Sequence, residues 1–202
     1  IGLHAPDSGT IIVDGMDIAK LKTEGEIADY RRRFGYLFQE GALFDSMTVA
    51  ENVGFPLKEH TDLADADIGK TVGEKLRRVG LVGVENMMPA ELSGGMKKRV
   101  GLARAIVMDP EIVLFDEPTT GLDPIMSDSI ADLVLDTQRA LQTTYILITH
   151  YIPFTYKIAD KIAMLHEGKI IAQGTVAEMK VSPDPVVRQF LEGKAQGPIK
   201  VY

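Results

Sequence analysis

Leu92-Ser93-Gly94-Gly95-Met96 and, twenty residues beyond Met96, Asp116-Glu117 decide how this chain folds. The first stretch predicts a helix start. Ser93 stands at an N-cap position, and Met96, Val100, Ala103 and Val107 follow at helical spacing. Gly94 and Gly95 lack β-carbons, so an anion can approach the free backbone N–H groups at the positive end of the helix dipole. The second stretch ends the apolar run Ile112-Val113-Leu114-Phe115. Such a run suits a strand buried on both faces of a parallel sheet.

Outward from these two points the pattern alternates. Thr10 to Val13 with Asp14-Gly15 predicts a strand and turn, and Phe34 to Gln39 a strand behind the basic run Arg31-Arg32-Arg33. From Gly41 to about Pro89 strand signals fade, while Val72, Leu76 and Val79 recur at helical spacing. Asp109-Pro110 stops the glycine-started helix, and Asp123-Pro124 opens the next one. Tyr145 to Ile148 predicts a second buried strand, ending at Thr149-His150. Glu167-Gly168 between two apolar stretches predicts a hairpin, and the tail holds Val187, Phe190 and Leu191 at helical spacing before a loose Gly/Pro stretch. The expected fold class is α/β, a mainly parallel sheet covered by helices with an inserted helical subdomain. The expected divisions are a partial core over 1–40, a helical subdomain over 41–100, the rest of the core over 101–175, and a C-terminal helix and tail over 176–202.

Composition narrows the function. The 202 residues carry a net charge of −7, which argues against a nucleic-acid partner. With no Cys there is no disulfide, thiolate metal site or cysteine nucleophile. No apolar run approaches the roughly 18 residues that span a bilayer, and no charged-then-apolar leader opens the sequence. The expectation is a soluble cytoplasmic protein; if it works at a membrane, it must dock onto another subunit.

Gln39, Asp116, Glu117 and His150 all fall at or just past predicted strand ends. Ligands of parallel sheets sit outside the carboxyl ends of the strands. Asp116 there can hold Mg²⁺ through water beside nucleotide phosphates, and Glu117 can polarise an attacking water as general base. Two adjacent carboxylates repel, so a cation or hydrogen-bond donor is expected near them. His150 can donate to a γ-phosphate oxygen. Gln39 can bind water or the metal. His4, His60 and His166 show no ligand-like spacing. Ala64-Asp65-Ala66-Asp67-Ile68-Gly69-Lys70-Thr71 fits a relaxed phosphate-loop pattern, but polar residues precede it and two carboxylates would face phosphate. It reads as a turn before a surface helix.

In this order the motifs resemble those of the ATP-binding-cassette (ABC) ATPases, over essentially the whole chain. Gln39 is similar to the Q-loop glutamine, Ser93, Gly94 and Gly95 to the signature, Asp116 and Glu117 to Walker B, Leu122-Asp123 to the D-loop, and His150 to the switch histidine. The resemblance implies a P-loop NTPase-like, RecA-type core. It also implies ATP and Mg²⁺ as cofactors, a second copy forming a head-to-tail homodimer, and an integral membrane permease as partner. Gln39, Ser93, Gly94, Gly95 and Asp123 would serve the nucleotide, Asp116 and Gln39 the metal, and Glu117 and His150 catalysis. Leu37 to Asp45, Pro56 to Thr61, Leu92 to Met96, and Pro185 to Leu191 with Gly197-Pro198 look more narrowly like the ATPase subunit of Mla-type phospholipid transporters. Those work with Mce-domain proteins at the bacterial inner membrane, which implies a peripheral place on its cytoplasmic face.

Three departures shape the expectation. Met96 replaces the usual Gln, which suits the Mla-type group, and Tyr151 follows His150 where Asp is usual. The family's first strand and phosphate loop would precede Ile1, so the sequence reads as an N-terminally truncated cassette with weak or absent ATP binding. A non-catalytic interaction module and the ATPase of a different solute transporter remain alternatives.

Overall fold

A turn at Asp14-Gly15, with both residues in the left-handed region (φ 48° and 74°), joins strands β1 (Ile12–Val13) and β2 (Met16–Asp17) into an antiparallel pair. The computed structural model describes residues 1–200. Helix α1 (Glu24–Arg32) begins at a Thr23–Glu26 capping box and ends in basic residues that complement its dipole. Arg33, the last of the basic run, bonds the carboxylates of Asp14 and Glu111, both at 2.5 Å. Strand β3 spans Phe34–Leu37.

The segment that loses strand signals is helical. Helix α2 (Val49–His60) starts at a second capping box, Thr48–Glu51, and packs on α3 (Asp65–Arg78) and α4 (Gly94–Ala105). Gly69, Lys70 and Thr71 lie inside α3, so they form no phosphate loop, but neither do they form the expected turn. Asp65 and Asp67 favour a helix N-terminus and start the helix earlier than the polar stretch suggested. Lys75 of α3 is buried and pairs with Asp109, in the loop before β4 (Ile112–Asp116). Asp123 caps α5 (Pro124–Leu141) by accepting from Ile125 N at 2.9 Å and Met126 N at 3.0 Å. Strand β5 (Thr144–Ile148) follows.

Strands β3, β4 and β5 form a parallel sheet in that order, with Leu37 opposite Phe115, Phe115 opposite Leu147, and Asp116 opposite Ile148. Leu37, Val113 and Phe115 are fully buried with Val100, Leu102 and Ile106 of the α4 region. The end of α4 crosses β3 at Gly35, where a β-carbon would stand 2.0 Å from the Ala105 carbonyl oxygen. Strand β5 departs from expectation: Ile146 and Ile148 are 50% and 66% exposed. Among the described residues β5 pairs along β4 alone, and alternation along the strand leaves one face open. No helix among the described residues is long and apolar enough to cross a membrane.

The chain divides into two units, 1–148 and the residues from 149 on. Taken by itself, the second contains α6 (Ile152–Ile158), the antiparallel hairpin of β6 (Lys161–His166) and β7 (Lys169–Thr175), then α7 (Val176–Lys180) and α8 (Pro185–Leu191). Glu167 and Gly168 make the predicted turn with φ 47° and 76°. Met164, Met179 and Val187 form its core. The stretch after α8 is less loose than expected. Buried Gln189 donates to Lys194 O at 3.2 Å and Ile199 O at 3.0 Å, and accepts from Ile199 N at 2.6 Å.

Two outcomes test this packing. Gly35→Ala forces α4 away from β3 and destabilises the protein by about 3 kcal/mol, read as a fall in the urea midpoint; an unchanged midpoint refutes the close crossing. Bonds from the Thr48 backbone N–H and then its hydroxyl hold the Glu51 carboxyl below the usual carboxylate range. A lowered folded value gives stability that is present above the ordinary glutamate pKa and lost as pH falls through the folded one. Thermal midpoints of wild type and Glu51→Gln therefore converge on acidification, and a constant gap excludes this role.

Candidate functional site

The parallel register brings the carboxyl ends of β3 and β4 to one edge. Gln39 lies two residues beyond Leu37, Asp116 ends β4, and Glu117 follows it. Glu117 sits in the left-handed region at φ 45°. A non-glycine residue there is strained, and such residues concentrate at functional sites. Local bonds hold it: its N–H donates to Ile148 O at 2.9 Å, its carbonyl accepts from Thr120 N at 3.2 Å, and its carboxylate accepts from the Thr120 hydroxyl at 3.4 Å.

A cation of the kind expected lies beside Glu117: it is Lys98 of α4, a residue that the sequence does not single out. Its ammonium donates to the Gln39 carbonyl and, at 3.4 Å, to the Glu117 carbonyl. Lys98 is 5% exposed. Desolvation lowers its pKa, against the opposing pull of Glu40 and Glu117. A signal existed: Gly95, Lys98, Leu102 and Ala105 recur at helical spacing and share the buried stripe of α4.

Two further residues shape the loop after Gln39. Arg104 donates to Gly41 O at 2.5 Å and Ala42 O at 2.9 Å, and its guanidinium lies 5.7 Å from the Phe44 ring centre. Buried Asn52 accepts from Phe44 N at 2.8 Å and donates to the carbonyls of Phe44, Met47 and Thr48. Neither was singled out from sequence, because their partners are main-chain atoms of an irregular loop.

Ser93 caps α4 as expected, its hydroxyl accepting from Met96 N at 3.3 Å. Ser93 and Gly94 are exposed, whereas Gly95 is buried against Met126. A cleft of about 430 Å³ runs beside this helix start, between Glu40, Leu43 and Gly121. The Asp123 carboxylate is engaged in the α5 cap. His150 opens the second unit, two residues past Ile148 in sequence, and the Tyr151 N–H beside it donates to the Thr149 hydroxyl at 3.1 Å. Among the described residues no group of three or more His, Cys, Asp or Glu could hold a metal ion. Mg²⁺ takes one or two carboxylates and fills its shell with phosphate oxygens and water, a demand that the Asp116 carboxylate at the end of β4 can meet.

Comparison with known proteins accounts for this arrangement. The profile described as ABC transporter matches residues 1–120. The chain is 44% identical over 199 residues to the probable ribonucleotide transport ATP-binding protein mkl of Mycobacterium tuberculosis, covering 98% of this chain and 55% of that protein. It is 43% identical over 198 residues to the intermembrane phospholipid transport system ATP-binding protein MlaF of Escherichia coli, covering 98% of this chain and 73% of MlaF. The chain thus spans about half the length of the mycobacterial relatives it matches. Among solved structures, cbiO1 of Clostridium perfringens, part of the ABC transporter complex cbiONQ, superposes with a TM-score of 0.80 at 33% identity, covering 88% of this chain and 70% of that one. A dimeric post-hydrolysis state of the ATP-binding cassette MJ0796, bound to ADP and Pi, gives 0.76 at 28% identity, covering 86% and 76%. With its parallel sheet, its glycine-started helix and its Asp-Glu strand end, this chain belongs to the ABC transporter family, among the ATP-binding cassettes.

Proposed function

We propose that the chain is the ATP-binding and ATP-hydrolysing part of an ABC transporter that moves phospholipid between bacterial membranes. The observation that carries the catalytic half is Glu117, held in a left-handed turn directly beyond Asp116. Glu117 takes the proton of the attacking water as general base. Asp116, with Gln39 across the sheet edge, would hold Mg²⁺ beside the nucleotide. When bound, that ion neutralises charge on the phosphate oxygens. His150 donates a hydrogen bond to the γ-phosphate. Ser93, Gly94 and Gly95 offer hydroxyl and backbone N–H groups to the γ-phosphate of ATP carried by a second copy. Asp123, whose carboxylate caps α5, belongs to the same nucleotide-binding set.

The dimeric cassettes among the structural neighbours support a head-to-tail homodimer. The similarity to MlaF supports the lipid reading; on that reading the chain sits on the cytoplasmic face of the inner membrane, bound to an integral permease, with an Mce-domain protein in the assembly. The segment from Gln39 to Pro56, a loop and the first two turns of α2, is the surface proposed to receive the permease, and the lipid itself does not touch this subunit. A second reading, import of a polar solute such as a ribonucleotide, draws on the name of the mycobacterial relative.

In the full-length protein, Glu117→Gln binds ATP with Mg²⁺ about as tightly as wild type, while turnover falls at least about a hundredfold. Wild-type turnover in that variant rejects Glu117 as the base. In proteoliposomes with the permease, ATP-dependent transfer of labelled phospholipid separates the two substrates, and ribonucleotide uptake without lipid transfer selects the second reading.

A further inference from the structure

The buried ammonium of Lys98 has no part in the hydrolysis just described, yet it touches both loops that carry it. Its bonds run to the carbonyls of Gln39 and Glu117, which belong to turns far apart in sequence. Lysine has three donors and no acceptor, so one side chain can serve both carbonyls. The same helix grips the first turn twice more. Arg104 bonds the Gly41 and Ala42 carbonyls, and Gly101 lets α4 close on the turn, since a β-carbon there would stand 3.2 Å from Gly41 Cα and 2.7 Å from Leu37 Cδ1. The Gln39–Ala42 turn is therefore locked to α4, and Lys98 extends the lock to Glu117.

We infer that Lys98 is a positioning residue that ties the Gln39 turn to the Glu117 turn, so that displacement of the Gln39 loop by a bound permease repositions the general base. This rests on the reading of Glu117 as the base. The physical reason is the left-handed backbone of Glu117. Its side-chain direction depends on the orientation of the peptide that follows, and the carbonyl of that peptide is the atom Lys98 holds. Misplacing a reacting group by about 1 Å costs up to about a hundredfold in rate. The ammonium can therefore govern turnover without touching nucleotide.

The test uses the full-length protein, alone and in complex with its permease. Lys98→Met keeps the length of the side chain and removes its donors. The expected result is a fall in kcat of at least about tenfold with KM for ATP within about twofold. Recovery of turnover in Lys98→Arg, and loss of the permease's effect on turnover in Lys98→Met, are also expected. Amide exchange is expected to quicken together at Gly41 and Thr120, whose N–H groups close the two turns. A lowered melting temperature with wild-type kcat at a temperature where the variant is folded overturns the inference, because a purely structural lysine gives that result. If Lys98→Met does not fold, Lys98→Gln, which keeps donors for the nearer carbonyl, is judged by the same split of kcat against KM. Normal turnover in the Lys98 variant beside a dead Glu117→Gln rejects the coupling alone. Wild-type turnover in Glu117→Gln rejects the functional reading on which it rests.

Discussion

The parallel pairing of β3, β4 and β5 is the constraint on which the site depends. Parallel strands end at the same edge, and the register sets Leu37, Phe115 and Leu147 side by side. Whatever follows those residues is brought together without any attraction of its own. Gln39, Asp116 and Glu117 gain their proximity this way. The apolar run of β4 and the buried α4 supply the stabilisation, and the two adjacent carboxylates are carried along.

The second determinant is α4. Its first turn presents Ser93 and Gly94 to solvent, while the stripe through Gly95, Lys98, Leu102 and Ala105 is buried. One helix thus exposes the start proposed to meet phosphate and braces the loops at the sheet edge. Holding Glu117 in the left-handed region costs on the order of 1–3 kcal/mol. Three bonds to its backbone, from Thr120, from Lys98 and to Ile148, offset that cost. Each net hydrogen bond contributes about 1 kcal/mol, so the three are of the right size to keep the turn in place.

Much of this was legible in the chain itself. The caps at Ser93 and Asp123, the hairpin at Glu167-Gly168 and the helical segment after Gly41 all carry local signals, since a cap or a turn needs specific residue types at fixed spacing. The errors have a common origin as well. The polar surroundings of Ala64–Thr71 predict a turn, whereas its acidic start makes it helical. The Gly/Pro-containing tail after Leu191 predicts a loose stretch, whereas Gln189 reaches forward to pin Ile199. Strand β5 was read as buried from its apolar run, yet exposure depends on what covers each face, which a run cannot state.

By itself, the order of motifs determined the family and the edge of the sheet where the candidate site residues gather, because strand ends and helix starts are written in local pattern. What only the tertiary structure decided is how those residues are held. The left-handed turn of Glu117, the grip of Arg104 on Gly41 and Ala42, and the reach of Lys98 to two carbonyls all join a side chain or backbone group to main-chain atoms far along the chain. Main-chain carbonyls are the same at every residue, so a sequence cannot mark which of them a distant ammonium will find.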